Sequence, residues 1–260
     1  MPPHPKTTFH IGCCGWAQSR AEYFRNFSVT EVQQTFYQPP RLDTLKKWRA
    51  GAPGDFEFTL KAWQLITHEP SSPTYRRLRL PLSERQKARC GAFRPTEEVY
   101  AAWQATRDCA RALRARIVLF QCPASFTPTD EHVDNMRHFF ARARRTARGL
   151  SFAWEVRGDW PDSLIEAICR ELKLLHAVDP FVRQPVTSGT QYFRLHGIGG
   201  YRHEFSDDEL DRLAARCRGE SYVLFNNLTM ARDALRFRNR VARKNQTPSA
   251  RRDRAIDGRL

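Results

Sequence analysis

Eight short β-rich runs, separated by stretches amphipathic at helical spacing, constrain this chain more than anything else in it. They lie at 8–13, 29–34, 56–61, 117–121, 152–155, 174–178, 191–195 and 222–226. Strand, helix and strand in alternation need crossover connections, which leave the strands parallel and cover the sheet with helices. Eight such strands close a (β/α)8 barrel of the TIM type, and 260 residues suit one. The predicted fold is α/β: one barrel domain at 8–241, between an N-terminal arm at 1–7 and a tail at 242–260.

Helix signals support the alternation. Asp43 or Thr44 opens a helix reaching Ala50, and Thr96 with Glu98 and Val99 opens one toward Leu113. Asp130 precedes Val133, Met136, Phe139 and Phe140; Asp162 precedes Leu164, Ile165, Ile168 and Leu172; Asp207 and Asp208 precede Leu210 and Leu213. Met230, Ala234 and Phe237 mark a closing helix. A short oxygen-bearing side chain ahead of a 3.6-residue apolar period accepts from backbone N–H groups that lack a partner at a helix start. Two places break the rhythm. Residues 62–95 form a long loop after the third strand, with Pro70, Pro73, Pro81 and six Arg or Lys from Arg76 to Arg89. Residues 180–190 are too short and too Pro/Gly-interrupted for a full helix, so the barrel is expected to be irregular there.

Charge narrows the partners. Lys and Arg number 43 against 28 Asp and Glu, a net charge of +15, and the segment from Arg236 onward holds nine basic residues against two acidic ones. Such a balance attracts phosphate-bearing ligands, nucleic acid among them. From Ala242 the chain reads as a polar, basic, disordered tail. No run approaches the ~18 apolar residues that span a bilayer, and the polar N-terminus lacks a signal-peptide core. A cytoplasmic protein with no membrane partner is expected. Seven scattered cysteines without a CxxC pair fit reduced, packed thiols, with the adjacent Cys13 and Cys14 facing opposite sides of a strand.

In such a barrel, chemistry belongs to the carboxyl ends of the strands and the loops after them. Unusual residues collect there. Trp16 follows the first strand, and Gln33, Thr35 and Tyr37 end the second. Lys61 ends the third, with His68 in the long loop beyond it. Gln121 ends the fourth, while Glu155, Arg157 and Trp160 follow the fifth. Asp179 closes the sixth, Arg194 and His196 the seventh, Asn226 and Asn227 the eighth.

Two chemistries compete for these residues. Glu155, Asp179 and His196, joined by His68, could hold a divalent Mg, Mn or Zn ion that activates water on a phosphodiester. Alternatively Lys61, Arg157 and Arg194 clamp an anion while Glu155 and His196 exchange protons. Amides at 33, 121, 226 and 227 would then meet a sugar or base, and aromatic faces such as Trp16, Tyr37 and Trp160 would stack on it. Catalytic roles are expected for Glu155, His196, Lys61 and Asp179, and ligand contacts for the others. No Walker-type loop or GxSxG elbow occurs; Gly197, Gly199 and Gly200 after the seventh strand come nearest to a phosphate loop.

The ordered motifs IGCCGW, VQQTFY, FEFTLKAWQLITH, VLFQCPASF, WEVRGDW, YFRLHG and YVLFNN resemble the YecE-like family, catalogued as domain of unknown function 72. The resemblance covers about residues 9–237 and implies a TIM barrel without a settled activity. Commoner members are similar but carry Glu and Asn around the second-strand motif, where Gln33 and Gln34 stand here. They also have a Pro-Pro pair near Cys122-Pro123 and a His near Gly158. A scheme needing a carboxylate on the second strand or an imidazole after the fifth is therefore not expected. Taken together, the residues predict a hydrolase acting on a phosphate-containing or nucleic-acid substrate; the alternative is a non-catalytic nucleic-acid or nucleotide-binding barrel.

Overall fold

The computed structural model describes residues 7–246. Eight parallel strands close on themselves in chain order: β1 (Thr8–Cys14), β2 (Val29–Val32), β3 (Glu57–Lys61), β4 (Ile117–Gln121), β5 (Ser151–Glu155), β6 (Leu175–Val178), β7 (Gln191–Leu195) and β8 (Glu220–Phe225). The last pairs with the first from Thr8↔Glu220 to Cys13↔Phe225, which removes both sheet edges. Around them run α1 (Arg20–Asn26), α2 (Gln34–Tyr37), α3 (Leu42–Ala50), α4 (Gln64–Thr67) and α5 (Glu84–Lys87), followed by α6 (Glu97–Leu113), α7 (Asp130–Arg145), α8 (Asp162–Leu172), α9 (Asp207–Arg216) and α10 (Met230–Gln246).

The (β/α)8 barrel read from the sequence is thus present, strand for strand. Thr96, Thr129 and Ser206 cap α6, α7 and α9 by accepting from the third backbone N–H of each helix. Among the described residues, β6 passes to β7 without a helix, which is the irregularity the prolines at 180 and 185 foretold. Three boundaries differ from expectation. Gln33 and Gln34 leave β2 for a turn into α2, and the third helix begins at Leu42, ahead of Asp43 and Thr44. The last helix continues to Gln246, so residues 242–246 belong to α10 instead of a disordered tail. The rest of the expected tail, 247–260, and most of the N-terminal arm lie outside the described residues. Among the described residues, no helix is long and apolar enough to cross a membrane.

Alternation along the strands makes two cores. Cys14, Val29, Ile117, Leu119, Ala153, Tyr192 and Leu224 fill the barrel interior, while Cys13, Phe58, Phe120, Phe152 and Phe193 face the helices. Cys13 and Cys14 therefore do point to opposite sides. All seven thiols are buried and free, and burial pushes those of Cys13, Cys109 and Cys217 up to about 12, so they are packing groups and poor nucleophiles. Large apolar residues stop where the strands reach their carboxyl ends; Glu31, Lys61, Gln121, Glu155 and Arg194 take the inward positions instead.

Candidate active site

The floor of the carboxyl-end rim is a buried ion cluster. Arg194 on β7 spends its guanidinium on two carboxylates: Nη2 and Nε donate to Glu31 of β2 at 2.8 and 3.2 Å, and Nη1 donates to Glu155 of β5. Glu31 also accepts from Gln33 and, at 2.8 Å, from the Tyr192 hydroxyl, which is itself 2.8 Å from Thr59. Burial alone would raise the Glu155 carboxyl, but the Arg194 charge, a hydrogen bond from His196 and the Arg157 charge hold it well below the usual carboxylate range. Glu155 is thus a fixed anion. It is a poor proton carrier near neutrality.

Above this floor opens a cleft of about 530 Å³. Arg157, exposed to solvent, reaches back to Glu155 at 2.8 Å. His196 stands with Nδ1 3.0 Å from the Asn226 amide, and with Nε2 3.6 Å from Glu155 and 3.4 Å from Arg157. Lys61 lies on the opposite wall, 6% exposed, with Nζ 3.5 Å from the centre of the Phe36 ring. Among the described residues it makes no ion pair or hydrogen bond through that amine. Burial, then the Arg194 charge, lowers its pKa to about 7, toward the neutral amine.

The long loop closes that side. His68 packs edge-on against Phe36, its Nδ1 2.8 Å from Thr67, and burial followed by the Lys61 charge lowers its pKa to about 3. It is a neutral imidazole at any ordinary pH. The loop is pinned by Gly91, Ala92 and Phe93, all left-handed, whose N–H groups donate to the carbonyls of Leu65, Thr67 and Ile66. A Cβ at Gly91 would sit 2.4 Å from the His68 carbonyl oxygen, so only glycine lets the strap approach this closely. Thr74, from the same loop, also lines the cleft.

Comparison with known proteins agrees with the fold. The chain matches the family described as "Protein of unknown function DUF72" over residues 10–255. It belongs to that family. A DUF72 family protein of Enterococcus faecalis superposes with a TM-score of 0.70 at 19% identity, covering 92% of this chain and 99% of the other. One from Thermotoga maritima gives 0.63 at 19% identity, covering 90% and 99%. A xylose isomerase domain containing protein of Salmonella typhimurium gives 0.56 at 12% identity, covering 90% and 97%. At such identities the likeness is one of fold. Among curated proteins, none matches.

In this DUF72 barrel the rim gathers Gln33, Tyr37, Lys61, His68, Gln121, Arg157, Arg194, His196 and Asn226 around one cleft. The other expected residues stand elsewhere. Trp16 packs edge-on between Tyr23, Phe24 and Trp48 outside the barrel. Thr35 is buried and donates to the Lys61 carbonyl at 2.7 Å, so it fixes the lysine's backbone. Trp160 is buried against Phe126 and donates to its carbonyl. Asn227 donates to Asp233 and the His203 carbonyl, tying α10 to the preceding loop. Asp179 accepts from the backbone N–H of Phe181 and His196, which orients the His196 turn and commits both of its oxygens.

The metal set and the guanidinium clamp both need correction. Among the described residues, no group of three His, Cys, Asp or Glu converges to hold a metal ion, because Asp179 is occupied by backbone and Glu155 by arginines. Arg194 is saturated by two carboxylates and is no free anion fork. A second-strand carboxylate, not expected from Gln33 and Gln34, is supplied by Glu31, two residues earlier. Its signal was available: a lone Glu at an inward position between Thr30 and Val32.

Proposed function

We propose that the rim cleft is the active site of an enzyme that acts by acid–base catalysis on a small phosphate-bearing molecule. The observation that carries this reading is Lys61, a buried amine with no polar partner among the described residues, beside a floor whose charges are already paired. An amine poised near neutrality both takes and gives a proton at working pH. Opposite it, His196 supplies the second titratable group, oriented by Asn226 and the Glu155 anion. Arg157, the exposed guanidinium, meets the anionic group together with the backbone of Gly197 and Gly200, both at positive φ. Gln33 and Gln121 serve substrate hydroxyls. A cleft of about 530 Å³ suits a sugar phosphate or a single nucleotide. Hydrolysis of a phosphate ester, the reaction class expected from the sequence, fits where Lys61 takes the proton from water.

The test is a turnover screen over phosphate esters, sugar phosphates and nucleotides, with and without divalent ions, for the native chain, Lys61→Met and His196→Ala. Loss of turnover by at least about 10²-fold in both variants supports the reading, since one acid–base group contributes that much or more. Undiminished turnover in both, or no substrate in any class, overturns it.

A second reading has its own observation. At the amino ends of β3 to β5 lie two adjoining clefts of about 700 and 360 Å³, lined by Arg49, Arg107, Arg111, Arg114, Arg116, Arg145 and Arg148. Arg114, Arg145 and Arg148, which have no acidic partner among the described residues, suit a phosphate backbone, so nucleic-acid binding is proposed for this end of the barrel, away from the rim.

A further inference from the structure

We propose that Lys61 is an imine-forming nucleophile, so that the substrate of the rim cleft is a phosphate-bearing aldehyde or ketone. The proposal rests on the acid–base reading of the cleft and narrows it to a carbonyl substrate. Three features of the site lead to it. The amine projects from the last residue of β3 into the cleft, walled by Phe36 at 3.5 Å. An ammonium there would meet only the Phe36 ring face and the open cleft, since no oxygen or nitrogen acceptor among the described residues bonds it. And the carboxylates that could trap it as an ammonium, Glu31 and Glu155, are both bound to Arg194.

What remains is a largely buried amine without a polar protein partner among the described residues, facing the cleft. The lowered pKa of about 7 agrees with that geometry. An ordinary lysine near 10.4 keeps only about one amine in several thousand neutral at pH 7, so Lys61 is favoured over exposed lysines by about 10³. Proton transfer alone would not require the amine to be so free of partners.

The chemistry balances with groups at hand. The Lys61 nitrogen forms a bond to the carbonyl carbon, the C=O pair moves to oxygen, and a proton passes from nitrogen to that oxygen. The carbinolamine C–O bond then breaks, its oxygen leaving as water with a proton taken from His196 or solvent, and the protonated imine remains. Water reverses both steps. Arg157 holds the phosphate while this occurs.

The experiment uses the full chain with dihydroxyacetone phosphate and sodium cyanoborohydride, which reduces a protonated imine to a stable secondary amine. Intact mass and peptide mapping locate the adduct among the seven lysines of the chain. One adduct at Lys61, absent in Lys61→Met and Lys61→Arg, suppressed by inorganic phosphate and weaker with pyruvate, supports the proposal. Its rate should rise through about pH 7 and then level, where an ordinary lysine would continue upward. Label spread over surface lysines, or unchanged in the Lys61 variants, overturns it. Circular dichroism confirms that the variants fold, and the map of the native chain decides the matter without them. Turnover lost in Lys61→Met, with no trapped adduct in the native chain, would end the imine proposal while leaving the acid–base reading standing. An adduct that forms without any turnover would do the reverse.

Discussion

Replacing Arg194 with Met should strand a charge where the barrel has no means to solvate it. Glu31 is 0% exposed, and after the change its remaining partners would be the Tyr192 hydroxyl and the Gln33 amide, both neutral. Glu155 is better placed, because Arg157 at 2.8 Å and His196 at 3.6 Å stay with it. The loss is therefore that of one uncompensated buried ion, about 3–5 kcal/mol. For a domain of this size each kcal/mol lowers the melting temperature by about 2–4 °C, so a fall of about 6–20 °C is expected. Urea unfolding of Arg194→Met, Glu31→Gln and the double variant measures the coupling directly. The double variant should be more stable than Arg194→Met alone, since removing the stranded carboxylate removes the penalty. A cost under about 1 kcal/mol for Arg194→Met, or a double variant less stable than both singles, would refute the assignment of this cluster as a closed, dry floor.

Acid should weaken the fold in two overlapping windows. His68 has its folded pKa lowered to about 3 against about 6.5 unfolded, so its contribution is complete above 6.5 and declines as pH falls toward 3, by about 2 kcal/mol between pH 7 and 5. Glu155, held low when folded, adds a further loss only below about 4.3, the usual unfolded value. A His68 ring resonance that titrates between pH 5 and 8 would contradict the first. At the other end of the barrel, nucleic-acid binding should weaken with salt, and Arg114→Ala or Arg148→Ala should each reduce the slope of log K against log salt by about 0.9. A slope unchanged by both substitutions would remove the basic clefts from the interface.

Strand positions were legible because their signal is local: β-branched and aromatic runs of four to six residues between turn residues, as at 117–121 and 191–195. The rim residues were legible for the same reason, since a strand's last inward position can be counted from its start. Lys61, Gln121, Glu155 and Arg194 all follow from that count. Side-chain partnership is not local. Nothing in the sequence says that Arg194 reaches both Glu31 and Glu155, 163 and 39 residues away, and so ceases to be a free cation. Trp16 and Trp160 were misplaced for a related reason. A loop residue just past a strand can turn inward over the barrel or outward under a helix, and the choice is made by neighbours such as Trp48 and Phe126.

Part of the net charge stands apart from the site chemistry in this molecule, although Arg77 packs on Tyr37 at the edge of the cleft. At the rim, two carboxylates, Glu31 and Glu155, face two guanidiniums, Arg194 and Arg157, and cancel. That leaves the Lys61 amine and the His196 imidazole facing the cleft. Part of the basic charge without an acidic partner stands at the opposite end, on Arg114, Arg145 and Arg148. A five-residue strand spans about 16 Å, twice the ~8 Å Debye length at physiological salt, so those arginines exert little force on an anion in the cleft. Their field acts on encounter with a large polyanion, which can span many charges at once. A small phosphate ester would instead be selected inside the rim, by Arg157 and by whether its reacting carbon can reach the Lys61 amine. On the proposed reading, the charge of +15 bears on what adheres to the barrel, and the state of one buried lysine on what reacts within it.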